Sequence, residues 1–151
     1  MTFEAATKQD NADEQFRDSP ELKRFGLGDH PLAYVPAIVA SSPPEFVRQQ
    51  KADAPDLARC WRQKEPAKKL VAVGDRPVLY VASEASFYAP YNHCTVDYLE
   101  QAGVHVDFVK LEEMGIRGNG HLMMLEKNSE DIAKVVGNWL DKVIATPTAR
   151  R

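Results

Sequence analysis

The chain is poor in cysteine: Cys60 and Cys94 are its two thiols in 151 residues. Two cysteines give no spaced framework of the kind that staples small secreted domains, and no Cys-x-x-Cys or His-x-x-x-His spacing marks a metal site. A reduced, cytoplasmic setting is the expectation that follows, with one disulfide left open. Long apolar runs are missing as well, and none approaches the roughly 20 residues a membrane helix needs, so no membrane association is expected. Met1 to Asp10 contain no apolar core, which argues against a secretory leader there. Nor is there an excess of positive charge. With 19 basic and 22 acidic residues the net charge is -3, and the basic groups are scattered apart from Arg150-Arg151, so nucleic-acid binding is not expected. What remains is an ordinary globular composition, 44% hydrophobic, in a length sufficient for one domain at most.

The most informative stretch runs from Pro77 to Ile144. Val78-Leu79-Tyr80-Val81-Ala82 is short, apolar and not alternating, the pattern of a strand buried on both faces. Ser83-Glu84-Ala85-Ser86 then breaks it with polar groups. Pro90 suits a helix's first turn, and Tyr91, Thr95, Tyr98, Leu99 and Ala102 follow at helical spacing up to a stop at Gly103. A second strand is expected over Val104 to Leu111, followed by the loop Gly115-Ile116-Arg117-Gly118-Asn119-Gly120-His121. The closing helix takes Ser129 as N-cap, with Glu130 and Asp131 at the positive end of its dipole. Ile132, Val135, Val136, Trp139, Leu140, Val143 and Ile144 form one apolar face. Strands joined by a helix of this length are expected to be parallel, with a right-handed crossover. Open α/β sheets place ligands at the C-terminal ends of such strands, which puts Glu84, Ser86 and His121 at one edge.

The front of the chain is less regular. Residues 1–24 are mostly polar and read as a mobile arm or a solvated helix. Residues 25–69 form a region of loops and short helices punctuated by Gly26, Gly28, Pro31, Pro36, Pro43 and Pro44. Leu32 to Val35 is expected to be extended, and short helices are expected from Ser42-Pro43-Pro44-Glu45-Phe46 and over Ala54 to Trp61. Residues 70–146 carry the α/β pattern, and 147–151 are a tail. A parallel sheet needs cover on both faces, and two buried strands are too few for a doubly wound domain. The expected fold class is therefore α/β with an incomplete sheet, parallel strands and flanking helices.

Pro77-Val78-Leu79-Tyr80-Val81-Ala82-Ser83-Glu84-Ala85-Ser86-Phe87-Tyr88-Ala89-Pro90 resembles the segment of α/β-hydrolases that ends in the loop of the catalytic acid. Gly118-Asn119-Gly120-His121, followed by Met123-Met124-Leu125-Glu126-Lys127-Asn128, resembles the loop of their catalytic histidine and the approach to the last helix. Microbial and fungal esterase-like members are most similar. The similarity is closest in the second half and extends loosely back through Asp53-Ala54-Pro55 and Arg59-Cys60-Trp61. The resemblance implies a partial α/β-hydrolase fold, acyl transfer from a small ester-like substrate through a Ser-acid-His triad, and no cofactor. The family's nucleophile lies on a Gly-x-Ser-x-Gly turn that precedes the acid and the histidine. None of Ser19, Ser41, Ser42, Ser83, Ser86 and Ser129 has those flanking glycines, so the nucleophile half is expected on another chain or lost.

His121 is the expected catalytic histidine, because glycines on either side of Asn119 free the backbone to position it. A loop histidine bonded to backbone is the plainer alternative. Where many relatives in that family carry an aspartate this chain has Ser86, so Glu84 takes the acid role, against the alternative of a glutamate that only caps backbone N–H groups. His93 and Cys94 are adjacent in a helix, point apart, and are expected to be neither co-ligands nor a nucleophile and base. His105 and Asp107 lack a spacing that would make a metal pair with His93 or His121. Met123, Met124, Leu125 and Trp139 are read as packing residues, while Tyr34, Phe46 and Trp61 are candidate lining of a lid. From a different functional class, the chain can be read as a non-catalytic remnant that binds a partner chain or itself through an exposed strand edge.

Overall fold

The computed structural model describes residues 33–37 and 45–145. The arm at 1–24, the tail at 147–151, and the turn between Phe25 and Leu32 lie outside the described residues. The described chain is a mixed α/β protein with one antiparallel and one parallel pair of strands and two α-helices. It divides into two compact units, one containing 33–37, 45–76 and 90–105, the other 77–89 and 106–145.

In the first unit, β1 (Phe46–Arg48) pairs antiparallel with β2 (Trp61–Gln63), Phe46 opposite Gln63. The short helix expected over Ala54 to Trp61 is not formed, and the one expected from Ser42 lies mostly outside the described residues. Phe46 lies in β1, and residues 54–60 form turns that lead into β2. The prolines disfavour regular bonding ahead of them, and Gln49 instead ties the segment down, its backbone N–H donating to Cys60 O and its side-chain oxygen accepting from Cys60 N–H at 2.7 Å. Val35 makes a single antiparallel bridge to Lys69, consistent with an extended piece.

Helix α1 (Asn92–Gln101) follows a short 3₁₀ turn at Ala89–Tyr91 that contains Pro90. It ends as the sequence indicates. Gly103 takes a φ of +83°, which releases the chain, and its N–H donates to Glu100 O. Helix α1 buries Cys94, Val96, Tyr98 and Leu99. Cys94 is joined by a disulfide to Cys60 across a separation of 34 residues, so neither thiol is free.

The Tyr98 hydroxyl meets the Tyr34 hydroxyl at 2.7 Å, and the Phe46 ring lies 6.4 Å from that of Tyr98. Burial first, and the Tyr34 hydrogen bond second, hold the Tyr98 phenol above its ordinary value of 10.0. The unfolded chain releases this proton at about pH 10 while the folded chain keeps it, so the folded state binds more protons above that point. Stability should therefore be complete below about pH 10 and fall as the pH rises further. Tyr98→Phe is expected to flatten this alkaline loss, checked by melting both proteins at about pH 8 and about pH 11. Equal losses in the two proteins would mean that another group unfolds the chain.

In the second unit, β3 (Val78–Ala82) and β4 (Val106–Lys110) pair in parallel, Val78 opposite Val106 and Ala82 opposite Lys110. Residues 78–81 are only half-buried, contrary to a strand covered on both faces. Helix α2 (Ser129–Ala145) closes the chain. Ser129 lies just inside it. The Asn128 carbonyl accepts the N–H groups of Asp131 and Ile132, so the capping position falls on Asn128.

Leu111, Ile132 and Val135 form this unit's core, with Val81, Val109, Ile116 and Met123 partly buried against it. Full burial of an aliphatic side chain contributes roughly 1.5–3 kcal/mol, so three such residues make a small core. The apolar face of α2 is wider than this core covers: Leu140 is 44% and Ile144 78% exposed. Only Met123 packs as expected, since Met124 and Leu125 are exposed. Trp139 is half-buried, and its indole N–H donates to Asp107 Oδ2 at 2.6 Å.

Candidate active site

Two loops of the second unit carry the candidate residues. Residues 83–88 follow β3, where the apolar run ends in side chains that bond to backbone. Residues 115–121 follow β4 and the 3₁₀ turn Leu111–Met114. The loops are stitched together by their own backbone. Ala85 N–H donates to Asn119 O at 3.0 Å, and the Ser83 hydroxyl donates to Gly120 O at 2.8 Å. Gly118 has a φ of +78°, so one of the two glycines beside Asn119 adopts a conformation that side chains resist.

Glu84 faces the second loop. Its Oε1 accepts the Gly118 N–H at 2.6 Å, and its Oε2 pairs with Arg117 Nη2 at 2.8 Å. His121 lies farther along the same loop, exposed, with its ring 4.7 Å from Phe87 and 4.9 Å from Tyr88, the latter edge-on. Among the described residues, Glu84 and His121 are not hydrogen-bonded to each other. The structure thus brings both residues to one pair of loops, with the carboxylate engaged by Arg117 and Gly118 and the imidazole by two aromatic rings. Ser86 is buried, and its hydroxyl accepts from Tyr88 N–H at 3.1 Å.

Beneath the histidine loop lies a polar network that sequence reasoning missed. Asn119 is 1% exposed. Its Nδ2 donates to Glu126 Oε2 and to Asn128 Oδ1, both at 2.7 Å, and its Oδ1 accepts from Asn128 Nδ2 at 2.9 Å. Glu126 Oε1 accepts the Gly120 N–H at 2.7 Å. Every hydrogen-bonding atom of the Asn119 side chain is therefore used, and the loop that presents His121 is fixed from within. A signal was available in the close run of Asn119, Glu126 and Asn128, but short-range polar spacing does not say which side chains turn inward. Asn119→Ala leaves Glu126 and Asn128 short of partners, and a loss of about 2–3 kcal/mol is expected in urea unfolding. Asn119→Asp places a carboxylate against Glu126 and should regain stability as the pH falls through the carboxylate range. A variant as stable as the parent would show that the network is not closed in solution.

In the first unit the structure departs from the expected divergence of His93 and Cys94. His93 Nε2 lies 3.1 Å from Cys60 Sγ and 3.5 Å from Cys94 Sγ. Tyr34 and Phe46 meet Tyr98, and the Arg48 guanidinium lies 6.0 Å from the centre of the Trp61 ring.

No family model matches the chain, and no solved structure matches it. The chain is 52% identical over 87 residues to a protein named probable secreted lipase phiG, from Fungal sp. (strain ATCC 74256). The match takes in 58% of this chain and 24% of the relative, so the chain spans about a quarter of the length of the relative it matches. A relative named as secreted overturns the cytoplasmic expectation. The Cys60–Cys94 disulfide agrees with that correction, since cross-links of this kind persist in oxidising compartments. Counting cysteines misled because a single pair can be structural without forming a framework.

Proposed function

We propose that the chain is the C-terminal segment of an extracellular α/β-hydrolase that cleaves carboxylic esters through a Ser-acid-His triad. His121 acts as general base, taking the proton of a serine hydroxyl and returning it to the departing alcohol. Glu84 is the carboxylate that orients the imidazole and balances its charge once protonated. The serine lies on a Gly-x-Ser-x-Gly turn that this sequence does not contain, so the chain is inactive until an N-terminal half is supplied. One observation carries the reading: the 52% identity to a lipase-named protein, set beside two loops that hold Glu84 and His121 on adjoining backbone. The small core of the second unit and the uncovered face of α2 also suit an incomplete sheet. The test is turnover of p-nitrophenyl esters by the chain alone and with an N-terminal half bearing the serine motif. Activity is expected only in the combined sample, and equal turnover by the chain alone would defeat the proposal.

A second reading is favoured by the exposed apolar groups of the second unit, Phe87 at 66% and Leu125 at 77% among them. On that reading the chain is a non-catalytic remnant that associates with itself or a partner through this surface. A cooperatively melting monomer at micromolar concentration would count against it. Loss of activity on altering His121 in the completed protein would count for the enzyme.

A further inference from the structure

Cys60, His93 and Cys94 form a cluster in the first unit, whereas the loops of Glu84 and His121 belong to the second. Their Sγ, Nε2 and Sγ atoms all lie within 4.8 Å of one another. Cys60 is 0% and Cys94 1% exposed, and His93 is half-buried. His93 Nδ1 is buried with no hydrogen-bond partner among the described residues, so the ring's polar contacts there are the two sulfurs. An imidazole aimed at a disulfide through one nitrogen, with the other unpartnered, gains little from its burial.

We propose that this cluster, once reduced, is a binding site for a thiophilic divalent cation such as Zn²⁺, held by Cys60 Sγ, Cys94 Sγ and His93 Nε2. In tetrahedral zinc sites Zn–S is about 2.3 Å and Zn–N about 2.0–2.1 Å, which puts neighbouring sulfur and nitrogen ligands about 3.6 Å apart. The observed 3.1 and 3.5 Å are close to that spacing. Only the sulfurs must separate, and breaking their bond allows it. The Cα atoms, 5.1 Å apart, already place both side chains on one centre. Three protein ligands leave a fourth position for water.

The chemistry balances with an external dithiol as reductant. Its two thiols are oxidised to a disulfide while the Cys60–Cys94 bond takes up two electrons and two protons. Metal binding then displaces those two protons from the thiols, and the neutral imidazole contributes a lone pair. The metal thus closes the same loop as the disulfide, and the two are alternative cross-links of one site.

The experiment uses the full chain, reduced anaerobically with excess phosphine and titrated with Co²⁺ as a spectroscopic stand-in for Zn²⁺. Circular dichroism is recorded at each point. A sulfur-to-cobalt charge-transfer band should rise and saturate at one equivalent, with the helical signal of the oxidised chain retained or restored. The oxidised chain and a Cys60→Ser, Cys94→Ser double variant should show no such band. His93→Ala should keep the thiolate band but weaken affinity by more than about tenfold. Absence of a band in the reduced chain, binding without a set stoichiometry, unchanged affinity in His93→Ala, or binding to a chain that stays unfolded would each overturn the proposal. None of these outcomes depends on whether the chain belongs to an ester hydrolase.

Discussion

In the proposed hydrolase, with an N-terminal half supplied, His121→Ala is expected to lower kcat/KM for p-nitrophenyl esters by about 10²–10⁴-fold, the usual contribution of a positioned general base. Folding should barely respond. His121 is exposed, and its neighbours are the rings of Phe87 and Tyr88, contacts worth about 1 kcal/mol or less at such a site. A large loss of turnover with an unchanged unfolding curve therefore separates chemistry from structure. Glu84→Gln should also lower turnover, by about 10²-fold or more, because a neutral amide cannot balance an imidazolium. This variant additionally weakens the pairing with Arg117, a side chain that is itself 69% exposed, so the cost in stability is small. Turnover within twofold of the parent in His121→Ala would end its assignment as base, and the same result in Glu84→Gln would leave the acid to another residue.

Removing the disulfide should have the largest effect on stability. The bond between Cys60 and Cys94 closes a loop of 34 residues, and the chain-entropy relation for a loop of that size gives about 4 kcal/mol. Domains of this class are stable by only about 5–15 kcal/mol, so the cross-link is a large part of the total. Both sulfurs are fully buried, and Cys60→Ser with Cys94→Ser adds the cost of placing hydroxyls in that interior. Urea unfolding with and without reductant, in the presence of a chelator, measures the difference directly. Coincident midpoints would mean that the pair is not bonded in solution. Restoration of the reduced midpoint by Zn²⁺, in the absence of chelator, is the result that the cation site requires.

Much of the second half was legible because its signals are local. The apolar run Val78–Ala82 is a strand within the same residues, and the stop at Gly103 is visible as a positive φ. The periodic face of α2 predicts a helix that runs as Ser129–Ala145. The front half misled for an equally local reason. Leu57, Cys60 and Trp61 have helical spacing, yet backbone bonds from Gln49 N–H to Cys60 O and from Lys64 N–H to Glu45 O draw that segment into a strand pair. Tertiary pairing overrides propensity when a segment is short and flanked by prolines.

The candidate site divides along the same line. Glycines beside Asn119 and the order of acid and histidine loops could be read from the chain, and they indicated which residues to weigh. The partners of those residues could not. Arg117 and Gly118 on the Glu84 carboxylate depend on how two loops meet in space, and the bonds joining Asn119, Glu126 and Asn128 on which side chains of one loop turn inward.

By itself, then, the sequence determined the order of strands and helices in its second half, since hydrophobic spacing and glycine stops act over a few neighbouring residues. Tertiary structure alone decided that Cys60 bonds to Cys94 beside His93, that Asn119 turns inward, and that Glu84 is held by Arg117 and Gly118. The first and last join groups far apart along the chain, and the Asn119 contacts, though near in sequence, depend on which side chains turn inward; all are fixed by packing and by the need to satisfy buried polar atoms, which no local pattern encodes.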